Sequence, residues 1–199
     1  RKNVFGNPAI WVLAIANFFV YIVRYAVLDW GPTLLGEWKG VSIHHAGWMV
    51  AAFEISGIVG MLVAGWATDR FFGGRGPRVC VICMALATVF VALFWGISQP
   101  PMWLATLLLG AAGFCIYGPQ ALVGIAAANI ATKKAAATAV GFTGLFGYAS
   151  TLVSGWGLGL LAQHYGWNIA VGALILIAIM GTLIFMAAWS AKANGYDND

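Results

Sequence analysis

The chain has 199 residues, 62% of them hydrophobic and 8% charged, where soluble domains carry roughly a quarter charged residues. That balance excludes a soluble globular domain, and 14% aromatic content with so little charge excludes a disordered chain. Long unbroken apolar runs, in place of strict alternation, exclude an outer-membrane barrel.

Six apolar segments follow one another, at about 8–30, 45–67, 79–98, 102–130, 136–163 and 168–190. Each is long enough to cross a bilayer, which takes about 20 residues. Because no water in the hydrocarbon can satisfy free peptide groups, each run is expected to be helical. The breaks between them carry helix-stopping chemistry: Gly31-Pro32, the loop Gly73-Gly74-Arg75-Gly76-Pro77, Pro100-Pro101 and Gly166-Trp167-Asn168, with the plainer polar Thr132-Lys133-Lys134 between the fourth and fifth runs. The expected fold is an all-α membrane protein, one six-helix domain over residues 1–199.

Sorting the 10 basic residues by side gives an orientation. Arg1, Lys2, Arg70, Arg75, Arg78, Lys133, Lys134 and Lys192 fall on one side, Lys39 on the other, and Arg24 inside a span. The positive-inside rule then puts both termini in the cytoplasm of a multi-pass inner-membrane protein. The formal net charge of +4 thus bears on topology, not on nucleic acid. The 26 glycines are about twice the usual share and fall where small residues let helices approach, as in Gly60-x-x-x-Ala64, Gly141-x-x-Gly144-x-x-Gly147 and Gly155-x-Gly157-x-Gly159.

Three charges lie where the bilayer makes them expensive: Arg24 well inside the first span, Asp29 toward its outer end, and Glu54 inside the second. A charge at mid-bilayer costs roughly 2.5 to 3.5 kcal/mol on insertion scales, so such residues mark a pathway or ligand site unless they form a structural ion pair. Tyr21, three residues before Arg24, shares its helix face. A guanidinium beside a phenol suits an oxyanion, which the planar fork of donors can grip bidentately. Asp29, five positions on, points elsewhere and cannot pair with Arg24 on a regular helix. One interior base against two interior acids makes a poor anion site unless further positive charge comes from outside this chain. Tyr117, in Ile116-Tyr117-Gly118-Pro119, and Tyr148, in Leu145-Phe146-Gly147-Tyr148, sit in glycine-rich spans. Each is either a packed ring or a hydrogen-bond donor to a cavity.

Other signals are weaker. Cys80, Cys83 and Cys115 lie in apolar runs, and His44-His45 has no third ligand nearby, so neither a disulfide framework nor a metal site is read from them, and no cofactor is implied. Gly73 to Pro77 lacks the lysine and hydroxyl of a phosphate-cradling loop. No cleavable signal sequence is read at the start. No nucleophile–base constellation occurs, which points away from an enzyme.

The loop Gly65-Trp66-Ala67-Thr68-Asp69-Arg70, with Arg75 and Arg78 after it, resembles the cytoplasmic loop motif of the major facilitator superfamily. More specifically, Tyr21 to Thr33 (YIVRYAVLDWGPT), Lys133 to Tyr148 (KKAAATAVGFTGLFGY) and Tyr117-Gly118-Pro119 resemble the organophosphate:phosphate antiporters. The resemblance implies one half-bundle, spans seven to twelve, of a twelve-helix fold, with an N-terminal six-helix half absent from this sequence supplying the extra cations. It implies that Arg24 binds a phosphoryl group, that Tyr21, Tyr117 and Tyr148 line the central cavity, that Asp29 and Glu54 exchange salt bridges during transport, and that Asp69, Arg70, Arg75 and Arg78 pin neighbouring helices. Asn129 stands where several relatives carry an acid. The implied function is exchange of a phosphate ester, glycerol-3-phosphate or a sugar phosphate, for inorganic phosphate. The alternative within the family is a receptor for hexose phosphate that signals to a histidine kinase, toward which Gly118-Pro119-Gln120 and Trp30-Gly31 lean.

Overall fold

In the computed structural model, which describes residues 2–195, these residues form helices joined by short loops. A short α1 (Lys2–Phe5) leads into α2 (Pro8–Lys39), α3 (Ile43–Phe72), α4 (Gly76–Gly96), α5 (Met102–Ile130), α6 (Ala136–Ala149), α7 (Leu158–Tyr165) and α8 (Trp167–Ala187). A 3₁₀ turn (Lys133–Ala135) precedes α6, and a π-helical turn (Val153–Gly157) joins α6 to α7 as one span. Six helices are thus long and apolar enough to cross a membrane, as the six apolar runs predict. Of the basic residues assigned to one side, Arg1 lies outside the described residues.

Helix ends follow local chemistry. Asn7 caps α2 by accepting the amide of Ala9 at 3.0 Å, with Pro8 in the first turn where its missing N–H costs nothing. Ser42 caps α3 in the same way through His45. Gly40 and Gly73 end α2 and α3 in the left-handed conformation, φ 69° and 57°, which an L side chain adopts only under strain.

One expected break is absent. The first span does not stop at Gly31-Pro32 but runs on to Lys39, 32 residues in all. Pro32 deprives the carbonyl four residues back of its donor, a loss that membrane helices tolerate when neighbours pack round the site. Here Gly31 is buried against Val50 of α3, where a side chain would meet Val50 Cγ2 at 2.6 Å. The extension is also fastened at its tip. Lys39 Nζ donates to the carbonyl of Ile97 at 2.6 Å, at the end of α4, and lies 3.8 Å from the centre of the Trp38 ring. Beside it, Trp167 donates to Glu37 at 2.6 Å and Trp95 to the carbonyl of Asn168 at 2.9 Å. At the opposite end Arg78 Nε donates to the carbonyl of Trp189 at 3.2 Å, tying the start of α4 to the segment after α8.

The bundle is organised on α2 and α5, the two most buried spans. Helix α5 packs on α3, α4, α2 and α6, and α2 also packs on α8 and α6. The α3–α5 seam is backbone on backbone: Gly60 lies against the backbone of Phe114 and Gly113 against that of Phe53, leaving no room for a Cβ. Gly60-x-x-x-Ala64 therefore packs as the sequence suggests. Gly141, Gly144 and Gly155 do not, since open space surrounds their Cα positions. In that span it is Gly147 and Gly159 that let α2 approach, Gly147 against Asn17 and Tyr21 and Gly159 against Trp30. Trp30 of α2 keys into the span, its indole donating to the carbonyl of Ser154 at 3.0 Å and its ring lying over Gly159.

Candidate functional site

Antiparallel α2 and α5 face each other through two matched i, i+3 pairs, Tyr21/Arg24 and Tyr117/Gln120. Arg24 pairs with Tyr117, its Nη2 donating to the phenol oxygen at 2.9 Å. One helical turn away, the side chains of Tyr21 and Gln120 are neighbours. The two contacts form rungs about 4.5 Å apart along the helix axes.

Glu54 of α3 completes the upper rung. The Tyr117 hydroxyl donates to Glu54 Oε2, and that same oxygen lies 3.7 Å from Arg24 Nη2. The phenol is therefore interposed between guanidinium and carboxylate. Its ring is placed by α3: it lies directly over Gly57, where a Cβ would collide with the ring, and meets Phe53 edge-on at 6.2 Å. The guanidinium sits 4.8 Å from the centre of that ring and 5.1 Å from that of Tyr25, a pair of cation–π contacts that holds the charge partly out of water.

Arg24 is 15% exposed and Glu54 30%, which makes theirs a half-buried pair. Burial here leaves donors and acceptors over. Among the described residues, the buried side-chain polar atoms without a partner are Asn17 Oδ1, Arg24 Nε, Glu54 Oε1 and Gln120 Oε1. Asn17 shares the stripe of α2 that carries Tyr21 and Arg24, seven residues before the arginine, and its Nδ2 donates to the carbonyl of Thr143 at 2.9 Å. Native interiors leave few such atoms unpaired. With Asn17 set deeper, the unpaired atoms of Arg24, Glu54 and Gln120 lie around the two rungs, and with an arginine using only part of its fork this is a place where an oxyanion with hydroxyls could be held.

The sequence candidates divide. Arg24, Tyr117 and Glu54 come together. Tyr21 stands beside them, 5.6 Å from Tyr25 and 6.0 Å from Tyr148 by ring centres, and Tyr148 is largely exposed at 65%. Asp29 is exposed and stands apart from the Arg24 pair, as the five-residue spacing requires. In the loop motif, Asp69 borders a cavity of about 70 Å³ that Asn129 also lines, and Arg78 is bonded to the segment after α8 through Trp189. Sequence reasoning did not single out Tyr25, Asn17 or Gln120 as site residues. The spacing that pairs Tyr117 with Gln120 repeats that of Tyr21 with Arg24, and is the signal that would have found the glutamine.

The family model of the Major Facilitator Superfamily matches residues 4–195. The chain belongs to the major facilitator superfamily. Among its relatives in that superfamily, it is 40% identical over 189 residues to a "Probable hexose phosphate transport protein" of Chlamydia pneumoniae, covering 94% of this chain and 42% of the relative. It is 36% identical to the "Glycerol-3-phosphate transporter" of Haemophilus influenzae, covering 96% and 44%, and 34% identical to the "Membrane sensor protein UhpC" of Salmonella typhimurium, covering 96% and 43%. The chain thus spans about two-fifths of the length of the curated relatives it matches. These relatives are described as transport proteins for hexose phosphate or glycerol-3-phosphate and as a sensor protein.

Proposed function

We propose that this chain is the C-terminal six-helix half of an organophosphate:phosphate antiporter of the bacterial inner membrane, with both termini cytoplasmic. The observation that carries the reading is the half-buried Arg24, held by Tyr117 opposite Glu54 with its Nε unpartnered in the middle of a membrane-spanning bundle. Arg24 grips the phosphoryl group, and Tyr21, Tyr117 and Tyr148 donate to its oxygens or to the ester. Without substrate, Glu54 is the anion that Arg24 holds through Tyr117. An incoming phosphate must compete for the same guanidinium, so binding loosens the link between α2 and α3. A ligand shifts a conformational equilibrium only through such a difference in contacts, and rocking of two half-bundles about a midplane site is the motion it would drive. Asp29, exposed on α2, pairs with a cation of the other half. The loop residues Asp69, Arg70, Arg75 and Arg78 fasten the cytoplasmic ends.

The test is uptake of glycerol-3-phosphate and glucose-6-phosphate, with internal phosphate, by the full-length carrier carrying Arg24→Lys. Lysine keeps the charge but not the fork, and at least a tenfold loss is expected. Uptake equal to the unsubstituted carrier would sink the assignment. The similarity to a sensor supports a second reading, a hexose-phosphate receptor that signals to a kinase partner. Binding without counterflow in proteoliposomes is the result that selects it.

A further inference from the structure

We infer that Gln120 reads the hydroxyl groups of the ester's carbon skeleton, so that the upper rung selects for phosphate and the lower rung selects for a polyhydroxylated ester; this rests on the organophosphate reading above.

Gln120 carries an amide N–H pair and a carbonyl oxygen. Its side chain lies beside Tyr21, and its Oε1 is buried with no hydrogen-bond partner among the described residues. The acceptor is thus left over. An amide oxygen kept from both water and protein is costly, which is why buried polar atoms are nearly always paired. What it lacks is a donor that is neutral and small. A hydroxyl fits that description; the ionised oxygens of a phosphoryl group, being acceptors only, do not.

Position argues the same way. Gln120 follows Tyr117 by one helical turn on the same face of α5, just as Tyr21 precedes Arg24 on α2. A phosphoryl group gripped by Arg24 thus has the glutamine about 4.5 Å away along the helix axes, the direction in which the carbon skeleton of an ester would extend. The surroundings supply the other half of a sugar site. The rings of Tyr21 and Tyr148, 6.0 Å apart and steeply inclined, flank this rung, offering an apolar face beside a polar tip. Gln120 as a whole is only partly buried, so a rotamer change on ligand arrival, common at binding sites, presents its oxygen. Asn17, whose Oδ1 is also unpartnered, is 3% exposed and is bonded to Thr143. It is sealed a turn deeper and serves as framework.

The experiment is calorimetric titration of the detergent-solubilised full-length protein with three probes: inorganic phosphate, glucose-6-phosphate, and n-butyl phosphate as an ester without hydroxyls. Binding, unlike transport, is read equally well from a carrier and a receptor. Gln120→Leu is expected to weaken glucose-6-phosphate about tenfold, the cost of one lost hydrogen bond in a partly buried site, while inorganic phosphate and butyl phosphate stay within about twofold. Gln120→Asn keeps the amide but withdraws it by one methylene, and is expected to lose part of the same preference with an unchanged melting temperature. If Gln120→Leu weakens all three probes equally, the glutamine only holds Tyr21 and the inference fails. If it changes none, the inference fails as well. Absence of binding of all three probes by the unsubstituted protein overturns the organophosphate reading itself, and the inference with it.

Discussion

Replacing Tyr117 by phenylalanine removes one oxygen and leaves the ring over Gly57 in place. That oxygen now accepts from Arg24 at 2.9 Å and donates to Glu54, keeping guanidinium and carboxylate 3.7 Å apart. Without it, Arg24 and Glu54 are free to close to an ordinary charge-assisted contact of about 2.8 Å. With an effective dielectric of about 20, their attraction deepens from about 4.5 to about 5.9 kcal/mol, and the increment of about 1.4 kcal/mol is one decade in affinity. Phosphate must compete against that tighter pair, so its dissociation constant rises about tenfold in Tyr117→Phe, with a further loss if the phenol also donates to the ligand. Titration of the solubilised full-length protein with inorganic phosphate measures it, and a melting curve shows that the bundle is intact. Phosphate bound as tightly as before, or more tightly, would mean that the phenol does not hold the pair apart and that Glu54 is not the competitor of the substrate.

Two further substitutions test the supports of the site. Gly57→Ala places a methyl group on the ring of Tyr117. It is expected to lower stability by about 1 to 3 kcal/mol and to weaken phosphate along with it, and an unchanged melting temperature with unchanged affinity contradicts the close packing of α3 on α5. Lys39→Met removes the bond to Ile97 and the stacking on Trp38. A loss of about 1 to 2 kcal/mol is expected, seen as a lower melting temperature. Because Lys39 lies about 22 Å along α2 from Arg24, phosphate affinity stays the same; a change of more than threefold would show that the two ends of α2 are coupled.

The architecture was legible because the bilayer imposes it. Apolar runs of sufficient length, broken by glycine and proline, are enough to count spans, and ionisable residues inside them are rare enough to stand out. Arg24 and Glu54 were found in that way. Their partnership was not, since nothing in a linear sequence says that α3 brings Glu54 to Arg24, or that a tyrosine from α5 comes between them. Pro32 misled for a related reason. Its ring is a stop signal in isolation, and the contact of Gly31 with Val50 and the fastening of Lys39 to α4, which let the helix continue, are tertiary. Gln120 was noticed only as part of Gly118-Pro119-Gln120, because an uncharged amide in an apolar run does not by itself say that it faces Tyr21 of another helix. The π turn had its glycines in view, but these serve helix contacts as readily as an extra residue in a turn.

The unequal lengths of the spans bear on how the bundle meets its lipid. Helices α4 and α8 have 21 residues each, about 31 Å, close to the hydrocarbon thickness of about 30 Å. Helices α2, α3 and α5, with 32, 30 and 29 residues, measure about 44 to 48 Å and must either lean or stand proud of the bilayer. The short pair therefore acts as the gauge that fits the membrane, while these three and the 33-residue span Lys133–Tyr165 lean in it or project beyond it. A thicker bilayer would strain α4 and α8 first, while the helices that carry Arg24, Glu54 and Tyr117 have length in reserve and are buffered against it.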